Sequence, residues 1–105
     1  QNQVEGFLQS GQNVVVVEDL ISTGNSSLLA VEALKEAGAH VKGMVAIFTY
    51  GFDVAVDNFK NANVELNTLA DYEHLLHLAV AKNYITEKEL STLQEWRKSP
   101  STWNV

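Results

Sequence analysis

The chain has 105 residues, of which 46% are hydrophobic and 19% are charged, and this composition is typical of one small globular domain. It has no cysteine, which excludes disulfides and thiolate metal sites. Its 13 acidic and 7 basic residues give a formal net charge of −6, and the basic residues are scattered, which argues against a nucleic-acid surface.

The first predicted element is a strand at Val14–Val17, where four valines follow one another. A continuous β-branched run is typical of a strand buried on both faces, as in a parallel sheet covered by helices. Glu18 and Asp19 are predicted to end this strand. A polar turn over 22–27 follows, and apolar spacing then predicts a helix from about Ser26 to Ala37.

Three further elements continue the alternation of strand and helix. An apolar run predicts a second strand over Val41–Phe48, so that strand, helix and strand form a right-handed unit. A short helix over Phe52–Phe59 and a third strand over Val64–Thr68 come next. The pattern predicts an α/β fold, with a mainly parallel, Rossmann-like sheet flanked by helices.

Two helices complete the chain. The spacing of apolar residues after Tyr72 predicts an amphipathic helix with Asp71 as its N-cap. The sequence Thr86–Glu89 is a capping box that starts a last helix, which ends near Pro100. We expect Trp96 and Trp103 to anchor this helix, and residues 1–105 to form a single domain.

The end of the valine strand carries the first candidate for chemistry. Ligands of open parallel sheets bind outside the carboxyl ends of the strands, where Glu18 and Asp19 lie. Consecutive strand residues point to opposite faces, so the two carboxylates meet only if the chain turns there. Two neighbouring carboxylates repel each other unless a divalent cation, sugar hydroxyls or a proton is shared between them.

The polar turn carries the second candidate. Four hydroxyl residues and one glycine lead directly into a helix N-terminus: Ser22, Thr23, Gly24, Ser26 and Ser27. Free N–H groups and the helix dipole at such a position favour an anion, and glycine allows close backbone approach. The acidic pair followed by this phosphate cradle suits a ribose 5-phosphate. A turn that only caps the helix is the alternative, and no P-loop or Rossmann fingerprint is present.

Residues 14–27 closely resemble the phosphoribosyl-diphosphate motif of the type I phosphoribosyltransferases. The form from Glu18 to Ser27 is similar to that of the orotate phosphoribosyltransferases in this family. The segments Gln3–Gly6 and Ala46–Tyr50 resemble the same enzymes, as does the stretch from Tyr72 to the last helix. The resemblance therefore covers essentially the whole chain.

The resemblance implies a reaction and a set of roles. Orotate and phosphoribosyl diphosphate would give orotidine monophosphate and pyrophosphate, with Mg²⁺ as cofactor. Glu18 and Asp19 would be the catalytic residues that contact the ribose hydroxyls, directly or through the hydrated metal. No protein group would bind the metal directly. The residues implied to bind phosphoribosyl diphosphate are Glu18, Asp19, Leu20, Ile21, Ser22, Thr23, Gly24, Asn25 and Ser26. Ser22 and Tyr50 are the candidates for contact with orotate.

The resemblance also implies that this chain is the C-terminal part of a cytoplasmic, homodimeric enzyme. The family's mobile loop with catalytic Lys and His lies upstream of the matched segments, so we expect this half to be inactive alone. The chain starts at Gln1 without an initiator Met or the pattern of a signal peptide, which fits this expectation. No apolar run approaches the roughly 20 residues that cross a bilayer, and no membrane partner is expected.

Base specificity and mechanism stay open at this stage. Many orotate enzymes place an Arg where Phe48–Tyr50 stands here, so a different base is one alternative. A regulator that senses phosphoribosyl diphosphate without catalysis is another, and a phospho-acceptor receiver domain is a third, weaker one. His74 and His77 are spaced to share a metal, but no third ligand is evident, and an exposed helix face is the simpler interpretation. His40 is read as a surface residue.

Overall fold

A computed structural model describes residues 5–103 of the chain, so Gln3 and Val4 of the segment Gln3–Gly6 lie outside the described residues. Strands and helices alternate as predicted until two helices follow each other at the end. The elements are β1 (Asn13–Ile21), α1 (Asn25–Glu36), β2 (His40–Thr49), α2 (Asp53–Ala62), β3 (Leu66–Asp71), α3 (Tyr72–Ala81), α4 (Glu87–Lys98) and a 3₁₀ turn (Pro100–Thr102).

The three strands form one parallel sheet in the order β1-β2-β3. Val17 of β1 lies opposite Val45, and Ala46 of β2 lies opposite Thr68, so all three strands end at the same edge. The predicted α/β class with a parallel sheet flanked by helices is confirmed. None of the helices within residues 5–103 has the length and apolarity that crossing a membrane requires.

Local signals in the sequence set several helix ends. The Asp71 carboxylate accepts a hydrogen bond from the N–H of His74 at 2.9 Å and caps α3 as predicted. Thr86 and Glu89 form the predicted capping box of α4 through reciprocal bonds of 2.9 and 3.1 Å.

One face of the sheet is covered by α1 and α2. The main core lies there and is built from residues of the sheet, of both helices and of the segment before β3: Ile21, Val31, Met44, Ala46, Ala55, Phe59 and Val64. Ile21 and Met44 are each only 1% exposed. We call this side the covered face.

The opposite side of the sheet is apolar but uncovered within the described chain. Its exposed residues alternate along the three strands and lie beside one another across them: Val15, Val17, Val45, Ile47 and Leu69. We call this set the bare face. Val17 is 76% exposed and Leu69 is 80% exposed. The prediction that the valine strand is buried on both faces is therefore wrong for this chain, because its helices pack on one side only.

A second cluster joins α3 and α4 to the carboxyl ends of the strands. Tyr72, Leu76 and Leu90 are its buried members. Phe48 and Tyr50 from the end of β2 pack against them together with Trp96. The predicted anchoring role of Trp96 is confirmed, since its ring contacts three other aromatic rings at 5.5 to 5.8 Å.

Candidate functional site

The acidic pair lies within β1 rather than beyond it. The strand runs through Glu18 and Asp19 and ends at Ile21, so the predicted end of the strand at these two residues is wrong. The valine run has strong β propensity, and pairing with β2 continues past both acids through Leu20 and Ile21. Since the chain does not turn between them, the two carboxylates leave the strand in opposite directions.

The two carboxylates have different partners. Glu18 is half-buried, and its Oε2 accepts a hydrogen bond of 2.5 Å from the hydroxyl of Ser27 in the first turn of α1. Asp19 is exposed, and among residues 5–103 its Oδ1 accepts only from the neighbouring N–H of Leu20, at 2.7 Å. Glu18 is thus held by α1, while Asp19 keeps most of its acceptor capacity for a ligand.

Ser27 differs from the other hydroxyl residues of the turn. It is only 4% exposed, and its hydroxyl donates to Glu18 instead of facing the open side of the turn. The expectation that Ser27 adds a donor to the phosphate cradle is wrong, because the first turn of α1 points its side chain back to β1. Ser27 holds Glu18 instead.

The turn between β1 and α1 leaves the helix start open. Gly24 is the N-cap with φ of 84°, in the left-handed region, so it supplies no side-chain acceptor to the first amides. No acidic residue lies in the first turn either. Ser22, Asn25 and Ser26 are exposed there, and the Thr23 hydroxyl accepts from the N–H of Asn25 at 3.3 Å. An uncapped helix N-terminus with hydroxyls around it can bind an anion.

The two apolar residues between the acids and the turn have separate surroundings. Leu20 is 45% exposed, whereas the Ile21 side chain lies in the core. The carbonyl of Ile21 accepts from the N–H of Tyr50 at 3.2 Å, which holds the end of β2 beside the turn. Ile21 can therefore serve a ligand only through its backbone.

Helix α2 contacts the turn through Asn58 and Phe59. The Asn58 amide donates to the carbonyl of Thr23 at 3.0 Å and to the side-chain oxygen of Asn25 at 3.2 Å. The Phe59 ring lies under Gly24, where an added Cβ would come within 2.5 Å of the ring. The sequence did not predict that either residue contacts the turn. More than 30 positions separate them from the turn, and only the packing of α2 on α1 reveals the contact.

The end of β2 brings an aromatic group and a cation to the same edge of the sheet. The Tyr50 ring is stacked on Phe52 with centroids 5.1 Å apart and also contacts Tyr72 and Trp96. This ring packs within the second cluster, and its contact with orotate stays a prediction. Arg97 of α4 donates to the carbonyl of Gly51 at 3.0 Å, and no local pattern predicted a cation at this position.

The histidines of α3 pair with acids on their own helix. His74 lies 2.9 Å from Asp71 and His77 lies 3.2 Å from Glu73, and both imidazoles are exposed. The backbone N–H and then the ring of His74 lower the pKa of Asp71 below its ordinary value of 3.8. Among residues 5–103 no group of three or more His, Asp and Glu side chains is placed to hold a metal. The interpretation of an exposed helix face is confirmed for both residues, and His40 is exposed as well.

The turn is open to solvent on its ligand side. A groove of about 590 Å³ lies between α1 and α2, and it reaches the turn only at Asn25. Glu18, Asp19 and Ser22 do not line that groove. A ligand on the turn would therefore need other parts of the protein to enclose it.

Comparison with known proteins identifies relatives of this chain. No protein-family model matches the chain. An orotate phosphoribosyltransferase of Cytophaga hutchinsonii is 58% identical over 103 residues, which cover 98% of this chain and 49% of the relative. The chain spans about half the length of the curated relatives it matches. The resemblance stated from the sequence is confirmed, whereas the position of the chain in the C-terminal half stays a prediction.

Solved structures agree on the fold. A UMP synthase of Leishmania donovani superposes with a TM-score of 0.75 at 26% identity, over 89% of this chain and 21% of the other. An orotate phosphoribosyltransferase of Mycobacterium tuberculosis, in complex with 5-phospho-alpha-D-ribosyl 1-diphosphate, superposes with a TM-score of 0.58 at 31% identity, over 64% of this chain and 40% of the other. The sheet and its helices are thus part of a fold that these enzymes share.

Proposed function

We propose a function for a chain that has the type I phosphoribosyltransferase fold and the sequence pattern of the orotate phosphoribosyltransferases. In the full-length protein it carries the phosphoribosyl-diphosphate site of an enzyme that transfers phosphoribosyl to orotate. The products are orotidine 5′-monophosphate and pyrophosphate. The observation that carries this proposal is the uncapped N-terminus of α1, which follows a strand that carries two acids near its carboxyl end.

The turn is the phosphate-binding part of this site. The free amides at the start of α1 and the exposed hydroxyls of Ser22 and Ser26 would surround the 5′-phosphate. Because the first turn contains no acid, no fixed negative charge there opposes the anion. Ser22, the first residue after β1, would also contact the orotate.

The acidic pair acts on the ribose. As the bond from the anomeric carbon to pyrophosphate breaks, positive charge builds on the ribose ring, and a nearby carboxylate lowers the energy of that state. Asp19 is the better placed of the two for this role, since it is exposed and retains free acceptor capacity. Glu18 is held by Ser27 and would accept from a ribose hydroxyl with its second oxygen.

A Mg²⁺ cofactor would be held through substrate and water, because the two carboxylates leave β1 in opposite directions and cannot both bind one ion directly. Each carboxylate has an oxygen outside the hydrogen bonds described above, and hard cations prefer such ligands. No third acid lies near enough to complete a direct protein site within residues 5–103. The metal would neutralise charge on the pyrophosphate that leaves.

The rest of the protein must supply what this half lacks. A net charge of −6 cannot neutralise pyrophosphate, so the basic groups come from the part outside this chain. The bare face supplies a place for that part, because contiguous exposed apolar residues mark an interaction surface. We therefore propose that the other half of the same enzyme packs on the bare face, that the chain alone is inactive, and that the enzyme is a cytoplasmic homodimer.

Activity of the full-length protein tests the function. We expect it to form orotidine monophosphate from orotate and phosphoribosyl diphosphate with Mg²⁺, and to do so poorly with adenine or guanine. Asp19→Asn should lower kcat by roughly 100-fold or more, the usual scale for loss of an electrostatic group at a transition state. Turnover with a purine base but not with orotate would contradict the assignment of the base.

Cysteine labelling tests the cover of the bare face, because the chain has no cysteine of its own. In a full-length background without other cysteines, Val17→Cys should resist a thiol reagent. Val56→Cys on the outer side of α2 is the control and should react readily, since Val56 is 60% exposed. Equal reactivity of the two thiols would show that the bare face is open in the enzyme.

A further inference from the structure

We propose that Asn58 is a positioning residue that gives the turn between β1 and α1 its anion-binding shape. We call this turn, residues 22–27, the phosphate turn. The proposal rests on the proposed function of that turn and adds a residue from a different element. Asn58 lies on α2, is half-buried, and makes both of its described hydrogen bonds to the turn.

The two bonds use the full donor capacity of the Asn58 amide. One N–H binds the carbonyl oxygen of Thr23 at 3.0 Å, and the other binds the side-chain oxygen of Asn25 at 3.2 Å. Both partners are acceptors, so the amide nitrogen must face the turn. A side chain that only accepts could not replace it.

The bond to Thr23 determines where the next amide points. A trans peptide unit is planar, and its C=O and N–H point in opposite directions. When Asn58 holds the Thr23 carbonyl toward α2, the N–H of Gly24 is directed away from α2. That is the open side, on which a phosphate would lie against the start of α1.

Phe59 contacts the same peptide from the side of α2. Its ring occupies the space beside Gly24, which has a φ of 84°. The ring prevents the turn from moving closer to α2, and the hydrogen bonds of Asn58 prevent it from moving away from α2. The second bond of Asn58 keeps the Asn25 side chain on the α2 side, where it cannot cover the helix start.

Neutrality of the Asn58 side chain matters for a site that binds an anion. An amide donates two hydrogen bonds without adding charge. A carboxylate at this position has nearly the same shape, cannot donate, and adds negative charge next to the bound phosphate. Asn58→Asp therefore separates the role of the hydrogen bonds from the role of side-chain volume.

The test compares full-length variants in two measurements. Asn58→Ala and Asn58→Asp are the test variants, and Asn61→Ala is the matched control, since Asn61 is an exposed asparagine on the same helix. We expect the KM for phosphoribosyl diphosphate to rise roughly tenfold in Asn58→Ala and further in Asn58→Asp, a scale consistent with the loss of two hydrogen bonds. The KM for orotate should stay within about twofold and kcat within about threefold, because transition-state contacts are intact.

Calorimetry with ribose 5-phosphate is the second measurement and does not depend on catalysis. Its Kd should weaken in the order Asn61→Ala, Asn58→Ala, Asn58→Asp, with the control equal to the unmodified protein. An unchanged Kd and an unchanged KM in both Asn58 variants would overturn the proposal. A lower melting temperature with normal affinity would overturn it too, since that result describes a structural role only.

The two proposals fail in different ways. If the unmodified enzyme does not use orotate, the proposed function is wrong, and the ribose 5-phosphate titration still decides the role of Asn58. If the unmodified enzyme is active and the Asn58 variants match Asn61→Ala in both measurements, the proposal for Asn58 is wrong and the proposed function stands.

Discussion

The two faces of the sheet are built from similar side chains but differ in what lies over them. Met44 and Ala46 on the covered face are each 1% exposed under α1 and α2. Val45 and Ile47 alternate with them along the same strand and are 38% and 58% exposed. Alternation therefore does not separate apolar from polar residues here, as it does in a sheet with one solvated face.

This difference indicates that the two faces of the sheet have different roles. The covered face stabilises the half that carries the phosphate turn, because α1 and α2 belong both to the core and to the site. The bare face contributes little to the chain alone and is available for contact with another part of the protein. If the other half packs on the bare face as proposed, the stability of the site and its enclosure depend on opposite sides of one sheet.

Truncation in the core should give the largest effect and the clearest contrast between the faces. Met44→Ala should lower the free energy of unfolding of the chain alone by about 2–5 kcal/mol, since Met44 is fully buried. Ile47→Ala on the bare face should cost less than about 1 kcal/mol in the same chain. Urea denaturation measures both values.

The same pair of variants in the full-length protein can break the comparison. If the other half covers the bare face, Ile47→Ala should cost about 2 kcal/mol or more there, as for a buried side chain. A cost that stays the same in the short and the long protein would show that the bare face is not an internal interface.

Self-association should give the next largest effect. We expect the chain alone to associate through its bare face and through the open edges of β1 and β3. Val17→Lys should weaken this association by at least about tenfold, because it replaces apolar contact area with a charge. Sedimentation measures the change, and Val56→Lys on α2 is the control that should leave association as it was.

Removal of the Ser27 hydroxyl should give a smaller effect that belongs to the covered side. Ser27→Ala should lower the free energy of unfolding by about 1 kcal/mol, since Glu18 is half-buried and can regain some water. In the full-length enzyme Ser27→Ala should also lower activity, because Glu18 loses its only described partner. Equal behaviour of Ser27→Ala and Ser27→Thr would contradict a role for the hydroxyl bond.

The cap of α3 should give an effect no larger than that of Ser27→Ala, and its value should be the same in both proteins, because it belongs neither to the covered face nor to the bare face. Asp71→Ala should cost about 1 kcal/mol, the usual value of an N-cap. The pKa of Asp71 is lowered in the folded chain, so its contribution is complete above its ordinary pKa of 3.8 and is lost as the pH falls through the folded value. Thermal unfolding between about pH 5 and about pH 2.5 should show this loss in the unmodified chain and not in Asp71→Asn. A different cap value in the full-length protein would mean that the other half also contacts α3.

Much of this architecture could be predicted from the sequence because the signals are local. The capping box at Thr86–Glu89 and the N-cap at Asp71 give helix starts within one residue. The four valines and the turn after them identified the strand, the helix start and the family. Asp19 and the exposed hydroxyls of the turn are accessible to a ligand, as that interpretation requires.

What could not be predicted depends on contacts between distant segments. The pattern of Val14–Val17 is the same whether one or both faces are covered, so it could not show that the helices of this chain leave one face exposed. The turn of Ser27 toward Glu18 depends on the angle between β1 and α1, and the bond from Asn58 depends on the packing of α2. The strand continued past Glu18 because pairing with β2 outweighs the poor strand preference of the acids.

The contact between Gly24 and Phe59 limits how this site can be engineered or inherited. A side chain at Gly24 would be strained by the positive φ and would also collide with the ring of Phe59. A smaller residue at position 59 would remove the collision but not the backbone strain. Transfer of the short acidic and hydroxyl-rich segment into another scaffold therefore requires an aromatic ring in the position of Phe59 as well. Mutational drift at these two positions should be linked, with a smaller residue at 59 required before anything but glycine is accepted at 24.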